Sequence, residues 1–269
     1  MDLGLHGKVA IVAGASRGLG RAIAEGLTAE GVRVAICSRS AEALAKTAEA
    51  IAARPATTAA RGEVLPVPGD VSRAEDVDRL AAVTLARWGR VDILVTNAGG
   101  PPSGPAAGLT DAQWEAAVQT LLLSAVRLSR AVIPTMQEQR WGRILHVTSF
   151  TVKQPLPNLV LSNAVRLAVV GLAKTQAVEL APHNILVNTL CPGPIATDRL
   201  VELTQQYATR EGATFEDARQ RLWISQIPLG RLGEPREFAD LAVFLASERA
   251  SFLTGGTYQV DGGLVRGTM

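Results

Sequence analysis

Cysteine is scarce in this chain: Cys37 and Cys191 are the only two in 269 residues. Both stand in apolar, strand-like runs, which argues against a disulfide framework and for two reduced core thiols in a cytoplasmic protein. An excess of one charge is also missing. Twenty-seven Lys and Arg face 25 Asp and Glu, for a formal net charge of +2. No basic run reaches five residues, so no general affinity for nucleic acid is expected. No apolar stretch approaches the ~18 residues of a membrane span. The N-terminus lacks a charged region followed by a long apolar segment, so neither membrane attachment nor a signal peptide is expected. Internal repeats are absent, and the alanine- and threonine-rich stretch 56–60 reads as a solvated loop. Tyrosine is limited to Tyr207 and Tyr258, which restricts the acids available to any catalytic site.

Apolar residues, by contrast, make up 47% of the chain, and its mean hydropathy is +0.17. That is enough for a large core around a buried parallel sheet. Strand-like runs are expected at 8–13, 32–37, 64–68, 91–96, 143–148, 184–190 and 256–260. Helical periodicity predicts helices over 18–30, 40–53, 73–88, 111–139, 160–181, 199–211, 214–223 and 235–247. The regular alternation predicts an α/β fold, one doubly wound Rossmann-type domain over 1–269 with a parallel sheet of about seven strands. Pro101, Pro102, Gly104 and Pro105 follow the fourth strand, and Pro155 and Pro157 the fifth. Both loops lie at carboxyl ends of strands, where open α/β sheets bind ligands.

The most informative run is 9–20, VAIVAGASRGLG. Val9 to Ala13 suits a buried strand, Gly14, Gly18 and Gly20 form a turn, and Ile23 and Leu27 open a helix. A strand, glycine turn and helix can set bare N–H groups and a helix dipole against a pyrophosphate. The same run also suits an ordinary strand-to-helix turn. Val32 to Cys37 completes a βαβ unit of about thirty residues, which favours the phosphate site.

The spacing Gly14-x-x-x-Gly18-x-Gly20 resembles the glycine motif of the short-chain dehydrogenase/reductase family, with Ala13 in place of its usual threonine. Five further segments resemble family motifs in the same order: Asp70-Val71, Thr96-Asn97-Ala98-Gly99, Pro192-Gly193-Pro194-Ile195-Ala196-Thr197, Gly230-Arg231-Leu232-Gly233-x-Pro235 and Val260-Asp261-Gly262-Gly263. The resemblance implies a dinucleotide site formed by Gly14, Ser16, Arg17, Gly18, Leu19, Gly20, Ser38, Arg39, Asp70, Val71, Asn97, Ala98, Gly99, Arg166, Pro192, Gly193, Ile195 and Thr197. An acid at the end of the second strand would accept hydrogen bonds from the adenosine ribose and repel a 2′-phosphate. Here the strand ends Cys37-Ser38-Arg39, with no acid. Arg39 offers a fork suited to phosphate, and Arg17 is placed to reach the same group. NADP(H) is therefore expected in preference to NAD(H), against the alternative of two solvated arginines.

The catalytic half departs from the pattern. Family members use Asn, Ser, Tyr and Lys; the phenol donates a proton to the substrate oxygen and the ammonium tunes it. Ser149 matches the serine. Ser162 stands thirteen residues on, where Tyr is expected, and Arg166 four further, where Lys is expected. Leu121 falls at the Asn position. A hydroxyl is a weaker acid than a phenol and a shorter one, and Arg keeps its proton in proteins. Arg166 could still hold ribose hydroxyls. Lys153, four residues after Ser149, is the preferred replacement acid, with a solvated loop lysine as the alternative. Tyr207 would have to swing in from 198–228. His146 reads as a hydrogen-bonded core residue, and Ser149 as either a donor or a loop cap.

The resemblance makes 198–228 a small helical substrate lobe; a peripheral helix pair is the other reading. Residues 117–126, AVQTLLLSAV, are apolar nearly all round, so this helix is covered on both sides. The second cover is another helix of the chain or, as the resemblance implies, a second subunit in a homo-oligomer, a tetramer or dimer. Three functions follow. The first is an NADP(H)-dependent oxidoreductase on a small carbonyl or alcohol substrate, from a divergent branch similar to 3-oxoacyl-acyl-carrier-protein reductases. The others are a non-catalytic NADP-binding protein and an enzyme of another class on the same scaffold.

Overall fold

In the computed structural model, residues 1–54 and 62–268 are described. The stretch 56–60 lies outside them. The strands are β1 (Val9–Ala13), β2 (Arg33–Ser38), β3 (Val64–Pro68), β4 (Ile93–Thr96), β5 (Gly142–Val147), β6 (Ile185–Pro192) and β7 (Thr257–Val260). They form a parallel sheet in the order β3-β2-β1-β4-β5-β6-β7. The order reverses between β1 and β4, and the crevice at their carboxyl ends is the switch point where such sheets take ligands.

The central strands are apolar on both faces because both faces are covered. Ala10 and Val12 of β1, Val34 and Ile36 of β2, and Ile93 and Val95 of β4 enter one core layer. Helices α1 (Gly18–Ala29) and α9 (Pro235–Ala246) close that layer with Ile23, Leu27 and Phe238. The alternate residues Ile11, Ala35 and Leu94 enter the opposite layer. There they meet α3 (Ala74–Trp88), α5 (Ser124–Gln139) and α6 (Val160–Leu180). The two-residue period of a strand divides one apolar run between two cores.

The remaining helices are α2 (Ala41–Ala52), α4 (Asp111–Ala117), α7 (Asp198–Glu211) and α8 (Phe215–Leu222). The expected single helix over 111–139 is divided: α4 and α5 are joined by a π-helical stretch, Val118–Leu123. The helical run Asp111–Gln139 is long and apolar enough, by length and composition, to cross a membrane. This corrects the expectation from uninterrupted apolar runs, which Arg127 and Arg130 break. Leu128, Val132 and Met136 of this run are buried in the core. The two proline loops are tied together, since the Gly104 amide donates to the Asn158 carbonyl at 2.7 Å. Cys37 and Cys191 are both free and buried.

Helices α7 and α8 pack over the carboxyl end of the sheet. Phe150, Leu200, Trp223, Ile227 and Leu264 form a separate apolar cluster there. The Trp223 indole donates to Thr204 Oγ1 at 2.9 Å, satisfying a buried N–H.

Candidate active site

A cleft of about 940 Å³ runs along the carboxyl edge of the sheet. Every residue assigned to the dinucleotide lines it except Gly20, which lies one layer below. A Cβ on Gly20 would collide with the Gly14 carbonyl, so glycine lets α1 start directly against the turn. Gly14 and Gly18 have φ of +60° and +58°, the left-handed region that favours glycine. The Asn97 amide holds the turn by donating to the Ala13 and Gly14 carbonyls, both at 3.2 Å. The N-cap residue of α1, Arg17, makes no side-chain cap, leaving first-turn N–H groups free to bind an anion. On the far wall, a Cβ on Gly193 would overlap Asp261, and Thr197, at the N-cap position of α7, makes no side-chain cap and donates instead to the Ile195 carbonyl at 3.3 Å.

Ser38, Arg39 and Ser40 line the end of the cleft beside β2. Arg39 is exposed and has no hydrogen bond or ion pair with a described residue. Arg17 is placed differently from expectation. Its guanidinium pairs with Asp198 at 3.1 Å and Glu202 at 3.5 Å, both on α7. The acids of α7 thus engage it while it lines the cleft. Asp70 lines the wall but turns one oxygen back to the Ser72 amide and hydroxyl, at 3.0 and 2.8 Å. Burial pushes the Cys37 thiol beneath it up to about 12.

At the other end, α6 presents Ser162 and Arg166 one turn apart, both in the cleft wall and both 8% exposed. Ser162 Oγ lies 3.4 Å from Thr151 Oγ1. Ser149 lines the cleft, and its hydroxyl accepts from the Thr151 amide at 3.2 Å, so it caps the short turn Phe150–Val152. Arg166 Nη1 donates to the carbonyls of Val147 and Thr148 at 3.3 and 3.1 Å. Leu121, carried in by the π-helical stretch, adds an apolar wall.

Lys153 is not among the residues lining the cleft, although it is close enough to Cys191 to act on that thiol electrostatically. The turn Phe150–Val152 puts Phe150 and Thr151 into the cleft wall, and Lys153 follows as its C-cap, half-buried and outside the lining. Tyr207 is also outside it, with Arg210 stacked 5.2 Å from its ring centre. His146 is a core residue: Nε2 donates to Gln176 Oε1 at 2.9 Å, and Nδ1 accepts from Thr96 at 2.8 Å. Burial lowers its pKa to about 4. No Tyr, His or Lys lines the cleft among the described residues.

Sequence reading missed Arg199, Trp223 and Thr151, all of which line the cleft. The position of Arg199 two residues after Thr197, in the first turn of the lobe helix, was the available signal. Its guanidinium donates to the Pro101 carbonyl at 2.9 Å and pairs with Glu202 at 3.4 Å.

The architecture has known counterparts. The family model described as Enoyl-(Acyl carrier protein) reductase matches residues 14–265. The chain is 36% identical over 263 residues to dehydrogenase/reductase SDR family member 4 of Sus scrofa, covering 96% of this chain and 88% of that one. It is also 36% identical over 260 residues to the 3-oxoacyl-[acyl-carrier-protein] reductase FabG of Haemophilus influenzae, covering 97% and 99%. Among solved structures, L-sorbose reductase from Gluconobacter frateurii complexed with NADPH and L-sorbose is similar with a TM-score of 0.92 and 32% identity, covering 99% of this chain and 100% of that one. A variant of actinorhodin polyketide ketoreductase with NADPH gives 0.90 and 32%, covering 97% and 98%. This chain belongs to the short-chain dehydrogenase/reductase family.

Proposed function

We propose that this chain is an NADP(H)-dependent oxidoreductase acting on a small carbonyl or alcohol, with Ser162 and Arg166 at the positions of the family's Tyr and Lys. The observation that carries the reading is the contrast between the two halves of one cleft. The dinucleotide half has a glycine cradle, a helix N-terminus and the unpaired Arg39 where a 2′-phosphate would lie. Relatives of similar fold were solved with NADPH. The other half holds hydroxyls and guanidinium groups, with no phenol, imidazole or ammonium among the described lining residues.

When bound, NADPH supplies a hydride for a carbonyl carbon. The chain's part is to hold and orient. The turn from Gly14 to Gly20 offers N–H groups to the pyrophosphate, and Arg39 offers its fork to the 2′-phosphate. Arg166, fixed by two strand-end carbonyls, presents a cation that keeps its proton. Ser162 and Thr151 give the reacting oxygen neutral hydrogen-bond donors, and Leu121 and Trp223 keep water from that end. The same arrangement favours a second reading, an NADP-binding protein without turnover, because no tyrosine, histidine or lysine among the described residues lines the substrate end of the cleft.

Titration of both cofactors into the wild type and Arg39→Ala tests the cofactor half. A charge-assisted contact contributes roughly 1.5–3 kcal/mol. NADPH is expected to bind more tightly than NADH in the wild type and to lose about ten- to hundredfold in the variant. Equal affinities in the wild type contradict the reading.

A further inference from the structure

Arg166 is a buried cation without a counter-ion. It is more than nine-tenths buried, lines the cleft and makes no ion pair with a described residue. Two backbone carbonyls accept from Nη1, and no described residue accepts from Nε or Nη2. The Cys191 thiol is close enough to act on it electrostatically, but burial pushes that thiol up, so it stays neutral. A second guanidinium, Arg199, lines the same cleft and acts against Arg166 as a like charge. Burial and this neighbour lower the pKa of Arg166 to about 10, which still leaves a cation at neutral pH.

The other charged side chains lining this end of the cleft are paired within the protein, whereas Arg39, also unpaired, is exposed at the opposite end beside β2. Asp198 and Glu202 pair with Arg17, and Glu202 also with Arg199. An uncompensated buried charge is costly, and its retention points to a ligand of opposite sign. Ribose hydroxyls, the partners the family resemblance assigns to this position, accept hydrogen bonds but bring no charge. One free guanidinium edge beside the hydroxyls of Ser162 and Thr151 matches a planar monoanion better than a phosphate dianion.

We infer that the substrate carries a carboxylate beside its reacting carbonyl, and that Arg166, assisted by Arg199, binds it. The inference rests on the oxidoreductase reading above and narrows its substrate class to oxo acids or the matching hydroxy acids.

The test is calorimetric binding to the full chain saturated with NADP⁺, which prevents turnover. The probes are 2-oxobutanoate, its methyl ester and dihydroxyacetone phosphate. In the wild type the acid is expected to bind about ten- to hundredfold more tightly than the ester, as a charge-assisted contact allows. Arg166→Gln should bring that ratio close to one, Arg166→Lys should restore part of it, and Arg199→Gln should reduce it. The last two variants carry the test if Arg166→Gln fails to fold. The phosphate ester should bind less tightly than the acid. Equal binding of acid and ester by a wild type that holds NADP⁺ would overturn the carboxylate assignment and leave the cofactor reading standing. Tighter binding of the phosphate ester would also overturn it. Failure to bind NADP⁺ would sink both.

Discussion

At the residue scale, charge and burial divide the ionisable groups into those that serve the cleft and those that serve the core. His146 belongs to the core. Its folded pKa, lowered to about 4 from an ordinary 6.5 by burial, means that the unfolded chain takes up the proton more readily. Its contribution to stability is therefore complete above about pH 6.5 and is lost as the pH falls toward 4. A shift of this size corresponds to about 3 kcal/mol. Chemical unfolding of the wild type and His146→Asn between pH 7.5 and 4 checks this. The wild type should lose stability more steeply on acidification, and parallel curves would contradict the assignment. The core role of His146 was legible because the residue falls inside an apolar strand. The path of Arg17 was not. A long side chain in a glycine turn can reach either way, and the acids that capture it come 181 and 185 residues later.

At the scale of elements, all seven strands were legible because a parallel sheet buried on both faces leaves short, nearly continuous apolar runs. Helix starts were legible where a capping side chain precedes them, as at Ser40, Thr110 and Thr214. The π-helical stretch was not, because VQTLLL reads equally well as an ordinary helix; only the packing of Leu121 against Leu161 and Val165 shows the change. The turn at Lys153 was missed for a similar reason. A single 3₁₀ turn after Ser149 decides which side chains face the cleft, and loop geometry at that resolution has no periodicity to read. The junction of β1, α1 and β4 depends on one amide. Asn97→Ala removes both donors to the glycine-turn carbonyls and should cost about 1–3 kcal/mol. NADPH binding should weaken with it. Unfolding in urea with a parallel cofactor titration measures both, and an unchanged turn would show wild-type values in each.

At the scale of the whole molecule, the cofactor cleft and an uncovered apolar face lie on different parts of the surface. Leu167 and Val178 of α6 are 53% and 78% exposed. Leu123 and Val126, within the run 117–126 that was expected to be covered on both sides, are only half-buried. We propose that a second copy of the chain covers this face, in a homotetramer or dimer. Sedimentation at micromolar concentration should show a species of two or four chains, and Leu167→Glu should shift it toward 28.3 kDa. A wild type that sediments only as a monomer would contradict this. Six motifs in order made the fold and the cofactor half legible in the sequence. The substrate half was legible only as a departure from pattern, because its walls come from α6, the π-helical stretch and α7, which are far apart in the chain.

Turnover depends most directly on the chemistry available beside Ser162 and Arg166. The decisive measurement is NADPH consumption on a panel of neutral ketones by the wild type, Ser162→Ala and the double variant Ser162→Tyr/Arg166→Lys. General acid catalysis is typically worth about 10²–10⁴-fold. The wild type should bind NADPH yet turn these ketones over more slowly than the double variant by about that factor, with Ser162→Ala lowered only about fivefold, as the loss of one neutral hydrogen bond allows. Brisk wild-type turnover that Ser162→Ala abolishes would identify the serine as a working proton donor and contradict the account.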